Sequence, residues 1–357
     1  MGFNFRTELG KMTPKIAEGA KIYIFGVEKN WDYICKQYKY LVNTDLDEYI
    51  DGFITNGTNS QISTFHGKPV FALSDIDLNN AVILLSTASW PENQEILRQL
   101  LPYGLYEMNS VFQINWILNI LMRYEYERLL QLKGKHKGER CFIIGNGPSL
   151  SADDLEKLMD ETTFATNKIF LIFDKTQWRP TYYVCEEDVL IAEIQDEISA
   201  HIKCPAFFAR DAIPKLDKFK LTNFFFYYLD HRCEWRPNRK PTFSEEISAI
   251  QWGATVTYTC LQLAAYMGFG EIYLLGMDNT APNGVKLNGE FVFNDASQSH
   301  FSNNYRTKNI YHSQIDVINL SYMTAREYAE SHNIRIINAT RGGKLEIFER
   351  VNLDDLF

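Results

Sequence analysis

The sequence predicts an α/β protein made of two Rossmann-like domains, the second a doubly wound, mostly parallel sheet. Short apolar runs of strand length alternate with helical patterns from residue 21 to 101 and again from residue 141 to 340. A chain of 357 residues is long enough for two cores. We therefore expect an N-terminal domain over 1–106, a linking helix and linker over 107–137, and a C-terminal domain over 138–357.

Composition excludes several classes of protein. The net charge of −9 argues against nucleic acid as a partner. Six scattered cysteines without a CxxC pair are typical of a reduced, cytoplasmic protein without a structural zinc. No apolar run reaches the roughly 18 to 20 residues of a membrane span, and the N-terminus lacks the apolar core of a signal peptide.

The N-terminal half has the alternating pattern of a small nucleotide-binding fold. Strands are expected at 21–26, 40–43, 52–57, 68–73 and 81–87, and helices at 31–38 and 91–101. The first strand ends at Gly26, but Val27, Glu28 and Lys29 follow it, so the second glycine of a nucleotide turn is missing. This degenerate turn favours a docking or scaffold role. Apolar residues at helical spacing predict a long helix over 109–132, and the charged run 133–140 reads as a linker.

The stretch Cys141–Met159 organises the second half. Four apolar residues, Cys141–Ile144, suit a buried parallel strand, and two glycines follow in Gly145-Asn146-Gly147-Pro148-Ser149. Ser151, with Asp154 three residues later, predicts a capped helix running to Met159. A strand, a glycine turn and a helix N-terminus together form an anion site. An ordinary turn without a ligand fits the same pattern.

Polar residues follow the ends of four predicted strands. They are Asn146, Asn167, the run Glu186-Glu187-Asp188, and Asp278. Ligands of doubly wound sheets bind beyond the carboxyl ends of strands, which predicts one shared pocket. The remaining predicted strands lie at 164–170, 181–188, 205–210, 223–230, 271–278 and 334–340, with helices at 255–267 and 317–331 and a polar loop at 279–312.

Five segments carry a family resemblance: GNGPSL, ATNKIF, YYVCEED, GATVTYTCLQLAAYMGFGEIYLLGMD and NATRGGKLEIF. In this order they resemble the 6-hydroxymethylpterin diphosphokinase-like (MptE-like) proteins of bacterial polysaccharide gene clusters. They are also similar to the sialyltransferases of glycosyltransferase family 42. Residues 21–106 resemble small Rossmann-like domains attached to sugar-modifying enzymes.

The resemblance implies roles for individual residues. Asn146 falls on an asparagine that contacts nucleotide phosphates, and Asn167 on one that contacts the sugar-nucleotide. Thr255, Val256 and Thr257 fall where the family lines the donor, and Asp278 ends the matching strand. The family's catalytic histidine lies in a loop that here contains His300 and His312, with His300 favoured, while its arginine falls on Gly253. The nucleotide-binding set is Gly145, Asn146, Gly147, Ser149, Asn167, Glu186, Thr255, Val256, Thr257 and Asp278.

Three functions remain open on this basis. The first is a metal-independent glycosyltransferase that joins a nucleotide-activated sugar, with a CMP-linked sugar as one candidate, to a glycan acceptor. The second is a Mg²⁺-dependent diphosphokinase in which Glu187 and Asp188 bind the ion. The third is a non-catalytic nucleotide-sugar-binding subunit. The expected place is the cytoplasm, with the inner face of the membrane as an option, and self-association stays open.

Overall fold

The computed structural model divides the chain into two compact units, residues 1–125 and 126–357. It describes residues 4–26, 31–32, 34–36, 39, 45–55, 63–86, 90–105, 110–113, 126–216, 220–221, 223–235, 240–247, 249–280, 284–287, 290–293, 300–302 and 315–357. The division falls inside the segment that the sequence predicted to link the domains. Within these ranges no helix has both the length and the apolar character needed to cross a bilayer.

The first unit is built on a six-stranded sheet. Its strands are β1 (Lys21–Phe25), β2 (Gly52–Thr55), β3 (Thr64–Phe65), β4 (Lys68–Ala72), β5 (Ala81–Leu85) and β6 (Val111–Gln113). Their order is β3-β4-β2-β1-β5-β6, and every pair is parallel except the short β3–β4 hairpin. The described helices are α1 (Phe5–Gly10) and α2 (Trp90–Leu100), and residues 31–32 and 34–36 are also helical.

The second unit contains an eight-stranded, fully parallel sheet. Its strands are β7 (Arg140–Ile144), β8 (Thr163–Thr166), β9 (Tyr182–Cys185), β10 (Ala206–Ala209), β11 (Phe224–Tyr227), β14 (Glu271–Leu275), β17 (Arg335–Asn338) and β18 (Glu349–Arg350). Two small pairs complete the strands: β12 (Leu229–Asp230) with β13 (Ile250–Gln251), and β15 (Gly284–Leu287) with β16 (Glu290–Phe293). Burial of the strand residues explains their apolar runs.

The helices of this unit include α3 (Ala152–Glu156), α4 (Asp188–His201), α5 (Val256–Met267) and α6 (Ile315–Ser331), and residues 126–130 are also helical. Helix α5 is buried along almost its whole length and packs on β7, β8 and β9. Thr255 caps its N-terminus by accepting a hydrogen bond from the Thr257 N–H, and Gly268 ends it with φ +90°.

The strand order places a switch point between β7 and β14. From β7 the chain builds β8 to β11 on one side, then returns to add β14, β17 and β18 on the other. Doubly wound sheets bind ligands in a crevice outside the carboxyl ends of the strands at such a switch point, which here is the edge beyond β7 and β14. Both the predicted α/β class and the doubly wound topology are confirmed.

Three sequence predictions need correction. Residues 111–113 form the edge strand β6 beside β5, where Val111 and Phe112 are fully buried, so the helix predicted over 109–132 does not begin there. Helix α3 ends at Glu156 and does not reach Met159, which is exposed. The loop predicted at 279–312 contains the β15–β16 hairpin.

The charged run 133–140 is docked rather than a free linker. The N–H groups of Gly134, His136 and Gly138 donate to the carbonyls of Tyr266, Met267 and Gly268 at the end of α5. The His136 ring also stacks on Phe269, with centroids 4.6 Å apart. These contacts satisfy the last carbonyls of α5 and hold the segment to the second unit.

Candidate functional site

The turns after β7 and β14 meet at the switch point in close backbone contact. Gly145 N–H donates to the Leu275 carbonyl at 2.8 Å, and Gly147 N–H donates to the Gly276 carbonyl at 3.0 Å. A Cβ on Gly147 would lie 1.9 Å from Oδ2 of Asp278, and one on Gly145 would lie 2.5 Å from the Gly276 carbonyl oxygen. Both glycines are therefore required for packing between neighbouring turns.

Asp278 lies beside the glycine turn and binds its last residue. Its Oδ2 accepts hydrogen bonds from the Ser149 hydroxyl at 2.8 Å and the Ser149 N–H at 3.3 Å. The N–H groups of Gly145, Gly147 and Ser149 thus already donate to protein oxygens. Helix α3 behind them has only five residues. The donors of this turn are used within the protein, and a carboxylate lies beside them. Phosphate binding at the turn stays a prediction.

Asn146 lies at the centre of the crevice and is nine-tenths buried. Its Nδ2 donates to the Thr166 carbonyl and hydroxyl oxygens, each at 3.0 Å. The carbonyl can only accept, so the amide orientation is fixed. Its Oδ1 is buried and has no hydrogen-bond partner among the described residues. An unpaired buried acceptor is costly, and a ligand with a hydroxyl or amine donor would satisfy it.

The segment that contains His300 is bound to the backbone of Asn146. The N–H of its neighbour Phe301 donates to the Asn146 carbonyl at 3.0 Å, which fixes this segment to the crevice. Burial lowers the pKa of His300 to about 4, and the charge of Lys168 contributes to this shift. His300 is therefore neutral at pH 7. His312, the other predicted histidine, lies outside the described residues.

Asn167 and Lys168 follow β8 at the same edge. Asn167 has a left-handed backbone, φ 49°, and its carbonyl accepts from the Tyr183 hydroxyl at 2.7 Å. Its Oδ1 accepts from the Cys185 thiol, whereas its Nδ2 has no partner in the described part of the chain. Lys168 is buried and donates to Glu193 at 3.1 Å. Sequence analysis missed Lys168, although the strand-end rule that selected Asn167 reaches it as well.

The N-terminus of α5 enters the crevice from the side of β14. The Thr257 hydroxyl donates to Sδ of Met277 at 3.4 Å, and the same sulfur would be 2.6 Å from a Cβ on Gly145. Thr255, Val256 and Thr257 thus lie close to the glycine turn. A Cβ on Gly253 would lie 2.3 Å from Cδ1 of Tyr258, so this position has no room for the arginine that the resemblance implied.

A second cavity of about 260 Å³ opens beyond β9 to β12. Its lining is mainly acidic: Glu186, Glu187, Asp188, Asp211, Leu229, His231 and Trp252. Asp188 pairs with Lys215 at 2.5 Å, and an Asp211 carboxylate oxygen accepts from Nε2 of His231 at 3.0 Å. The lining residues come from four separate segments of the chain, which is why only the run Glu186–Asp188 was recognised from the sequence.

Glu186 is the most perturbed carboxyl group of this cavity. Burial raises its pKa to about 7, against the opposing effects of a hydrogen bond from the Thr259 hydroxyl and the charge of His231. The pKa of Glu187 is also raised, by burial and by the Asp188 charge. A carboxylate that titrates near pH 7 is suited to accept a proton at neutral pH.

The Arg341–Lys344 turn is structural. Arg341 makes a bidentate pair with the buried Asp154 at 2.8 to 3.0 Å and also binds Asp354. A Cβ on Gly343 would lie 2.9 Å from Cα of Asp278, and the Lys344 N–H donates to the Asp278 carbonyl at 2.7 Å. The hydroxyl of Thr340, a residue that the sequence did not indicate, accepts a hydrogen bond from the Met277 N–H at 3.0 Å.

Comparison with known proteins supports one family. Residues 115–284 match the family described as 6-hydroxymethylpterin diphosphokinase MptE-like, so the resemblance stated from the sequence is confirmed over this range. A solved structure of the MAf glycosyltransferase from Magnetospirillum magneticum AMB-1 is similar over 95% of this chain, at 15% identity and a TM-score of 0.40. The chain covers 58% of that protein's chain, and a likeness at this TM-score assigns neither fold nor function. No curated protein matches the chain.

Proposed function

We propose that the second unit is a glycosyltransferase that binds a nucleotide-activated sugar at the switch point between β7 and β14. The observation that carries this proposal is the buried, unpaired Oδ1 of Asn146 beneath the His300–Phe301 segment. A sialyltransferase-like activity with a CMP-linked donor is the narrower form of the proposal. It rests on the motif resemblance alone.

The polarity of the side chains at this edge supports a placement for each part of the donor. Because Asn146 Oδ1 can only accept, it receives a ribose or sugar hydroxyl or a base amine, and not a phosphate. The phosphates lie instead toward the N-terminus of α5, where the helix dipole favours negative charge at Thr255, Val256 and Thr257. The free Nδ2 of Asn167 donates to the sugar-nucleotide, and Gly145, Gly147, Ser149 and Asp278 shape the wall of the site.

The acidic cavity receives the acceptor glycan, and Glu186 is the proton acceptor. β9 is two strands from β7, a separation of about 10 Å, which suits a donor and an acceptor side by side. The acceptor hydroxyl gives its proton to Glu186 as its oxygen attacks the anomeric carbon. The bond from that carbon to the phosphate oxygen breaks, and the nucleotide leaves with the electron pair. Neutral His300 covers the donor and is the second candidate for the base.

A Mg²⁺-dependent diphosphokinase is the second candidate function, because the matching family carries that name. Glu187 and Asp188 would hold the ion together with substrate phosphates. The ion pair between Asp188 and Lys215 would have to open for this, whereas glycosyl transfer requires no such change. A non-catalytic sugar-nucleotide-binding subunit is the third reading, and docking or scaffolding is the proposed role of the first unit. We place the protein in the cytoplasm or at the inner membrane face.

Thermal melting with CMP, UDP, GDP and ATP, each with and without Mg²⁺, tests these proposals. A ligand at one hundred times its Kd stabilises the folded state by about 2.7 kcal/mol. We expect a pyrimidine or guanine nucleotide to raise the melting temperature equally with Mg²⁺ and with EDTA. Stabilisation by ATP alone that disappears in EDTA would support the diphosphokinase. Binding without turnover on any sugar-nucleotide tested would support the non-catalytic subunit.

A further inference from the structure

A cluster of metal-ligating side chains lies in the first unit, outside the site described above. Cys35 Sγ, a carboxylate oxygen of Asp47 and a ring nitrogen of His66 all lie within 4.8 Å of one another. Cys35 is on the helical segment 34–36, Asp47 on the 3₁₀ helix Leu46–Tyr49, and His66 in the turn between β3 and β4. Three separate elements thus direct a thiol, a carboxylate and an imidazole to one point.

The surrounding hydrogen bonds orient these groups as the outer contacts of a metal site do. His66 Nδ1 is 2.8 Å from Asp47 Oδ2, while its Nε2 is 2.6 Å from Asp32 Oδ1. Metal-binding histidines commonly place the second ring nitrogen on a carboxylate in this way. Asp47 Oδ1 accepts from the Trp31 indole N–H at 2.9 Å and lies 3.8 Å from Cys35 Sγ.

We propose that Cys35, Asp47 and His66 bind a divalent zinc-type ion through Sγ, a carboxylate oxygen and Nδ1, with Asp32 orienting the imidazole. Zinc–ligand bonds of about 2.0 to 2.3 Å place tetrahedral ligands about 3.3 to 3.8 Å apart, so ligand atoms that lie within 4.8 Å of one another need to approach by about 1.5 Å at most. The 2.8 Å contact between His66 Nδ1 and Asp47 Oδ2 has to open slightly to admit the ion. A thiolate with an imidazole selects zinc over magnesium or calcium. Three protein ligands leave the fourth position of a tetrahedral ion open. Water can reach this position, since the side chains of His66 and Asp47 are 24% and 19% exposed.

The charge and packing of the cluster fit this assignment. Two carboxylates face a single imidazole, and a divalent cation offsets two of the three negative charges that Asp32, Asp47 and an ionised Cys35 thiol bring together. Phe65 packs on the His66 ring with centroids 4.6 Å apart, and Phe53 packs on Phe65 at 4.9 Å, which gives the cluster an apolar wall. The sequence alone does not indicate the site, because its ligands lack the spacing of known zinc motifs.

Metal titration of the full-length chain tests the proposal. After chelation and removal of the chelator, we expect one Zn²⁺ per chain, and one Co²⁺ with a thiolate charge-transfer absorption. Cys35→Ser should abolish that absorption and weaken Zn²⁺ binding at least tenfold, and Asp32→Asn should weaken it about 10- to 100-fold. Cys204→Ser, at another half-buried free cysteine in the second unit, is the matched control and should bind as wild type.

A second measurement uses only the wild-type protein, so it tests the proposal even if a variant does not fold. In the wild-type protein, Zn²⁺ should slow alkylation of Cys35 and leave that of Cys204 unchanged, as read by peptide mass spectrometry. Substoichiometric Zn²⁺ binding, equal binding by the Cys35→Ser and Cys204→Ser variants, or alkylation of Cys35 at the same rate with and without Zn²⁺ would each overturn the proposal.

Discussion

Replacing Glu186 with glutamine should stabilise the second unit at alkaline pH. Burial raises the pKa of Glu186 from 4.5 to about 7. Between these values the folded state holds a proton that the unfolded state has released, so the contribution of Glu186 to stability falls as pH rises from about 4.5 and is lost above about 7. Glutamine has the same shape, can still accept from the Thr259 hydroxyl, and carries no charge to bury.

The size of the effect follows from the shift. Each tenfold change in proton affinity is worth about 1.36 kcal/mol. The free energy of unfolding of Glu186→Gln should therefore exceed that of wild type by about 3 kcal/mol at pH 8 and by less than about 1 kcal/mol at pH 5. For a unit of this size the pH 8 difference corresponds to about 6 to 12 °C in melting temperature. Differential scanning calorimetry at both pH values measures it through the transition of the second unit.

Glu197→Gln is the matched control, since it makes the same change at an exposed position of α4. Its melting temperature should follow that of wild type at both pH values. A Glu186→Gln advantage that is the same at pH 5 and pH 8, or a variant less stable than wild type at pH 8, would show that Glu186 is not a buried carboxylate with a raised pKa.

Three further predictions concern the site and its frame. If Glu186 is the base, Glu186→Gln should lower turnover by about 10² to 10⁴-fold with donor binding preserved, and wild-type kcat should rise up to a pH of about 7. A larger loss of turnover in His300→Ala, with kcat flat from pH 6 to 8, would assign the role of base to His300. A larger loss in His312→Ala would assign it to His312. Asn146→Ala should weaken the binding of a nucleoside and of its nucleotide by the same factor in calorimetric titration, because Oδ1 cannot donate to phosphate. A loss of affinity confined to the nucleotide would contradict this prediction. Arg341→Met should lower the free energy of unfolding, measured by chemical denaturation, by about 3 kcal/mol because it leaves the buried Asp154 unpaired. Arg335→Met, which breaks an exposed pair with Glu271, should lower it by less than about 1 kcal/mol. Equal losses in the two variants would rule out the argument from the buried pair.

Strand identity and helix caps could be read from the sequence because both are encoded locally. The runs 22–25, 81–85 and 141–144 are apolar since both faces of a parallel strand are buried, and each is a strand in the structure. Ser151 caps the Asp154 N–H as its spacing predicted. The alternation of such elements was sufficient for the fold class and for the edge of the sheet that carries the polar residues.

The tertiary structure decided whatever depends on partners distant in the chain. Val111 and Phe112 have helical spacing with later residues, but pairing with β5 makes them a strand. The glycines of 145–147 suggested a phosphate loop, whereas the space that a Cβ would need there is taken by the turn after β14. Glu186 acquires its raised pKa from burial, which outweighs the opposing hydrogen bond from the Thr259 hydroxyl. Close approach and desolvation are properties of the assembled core, so no local pattern of residues encodes them.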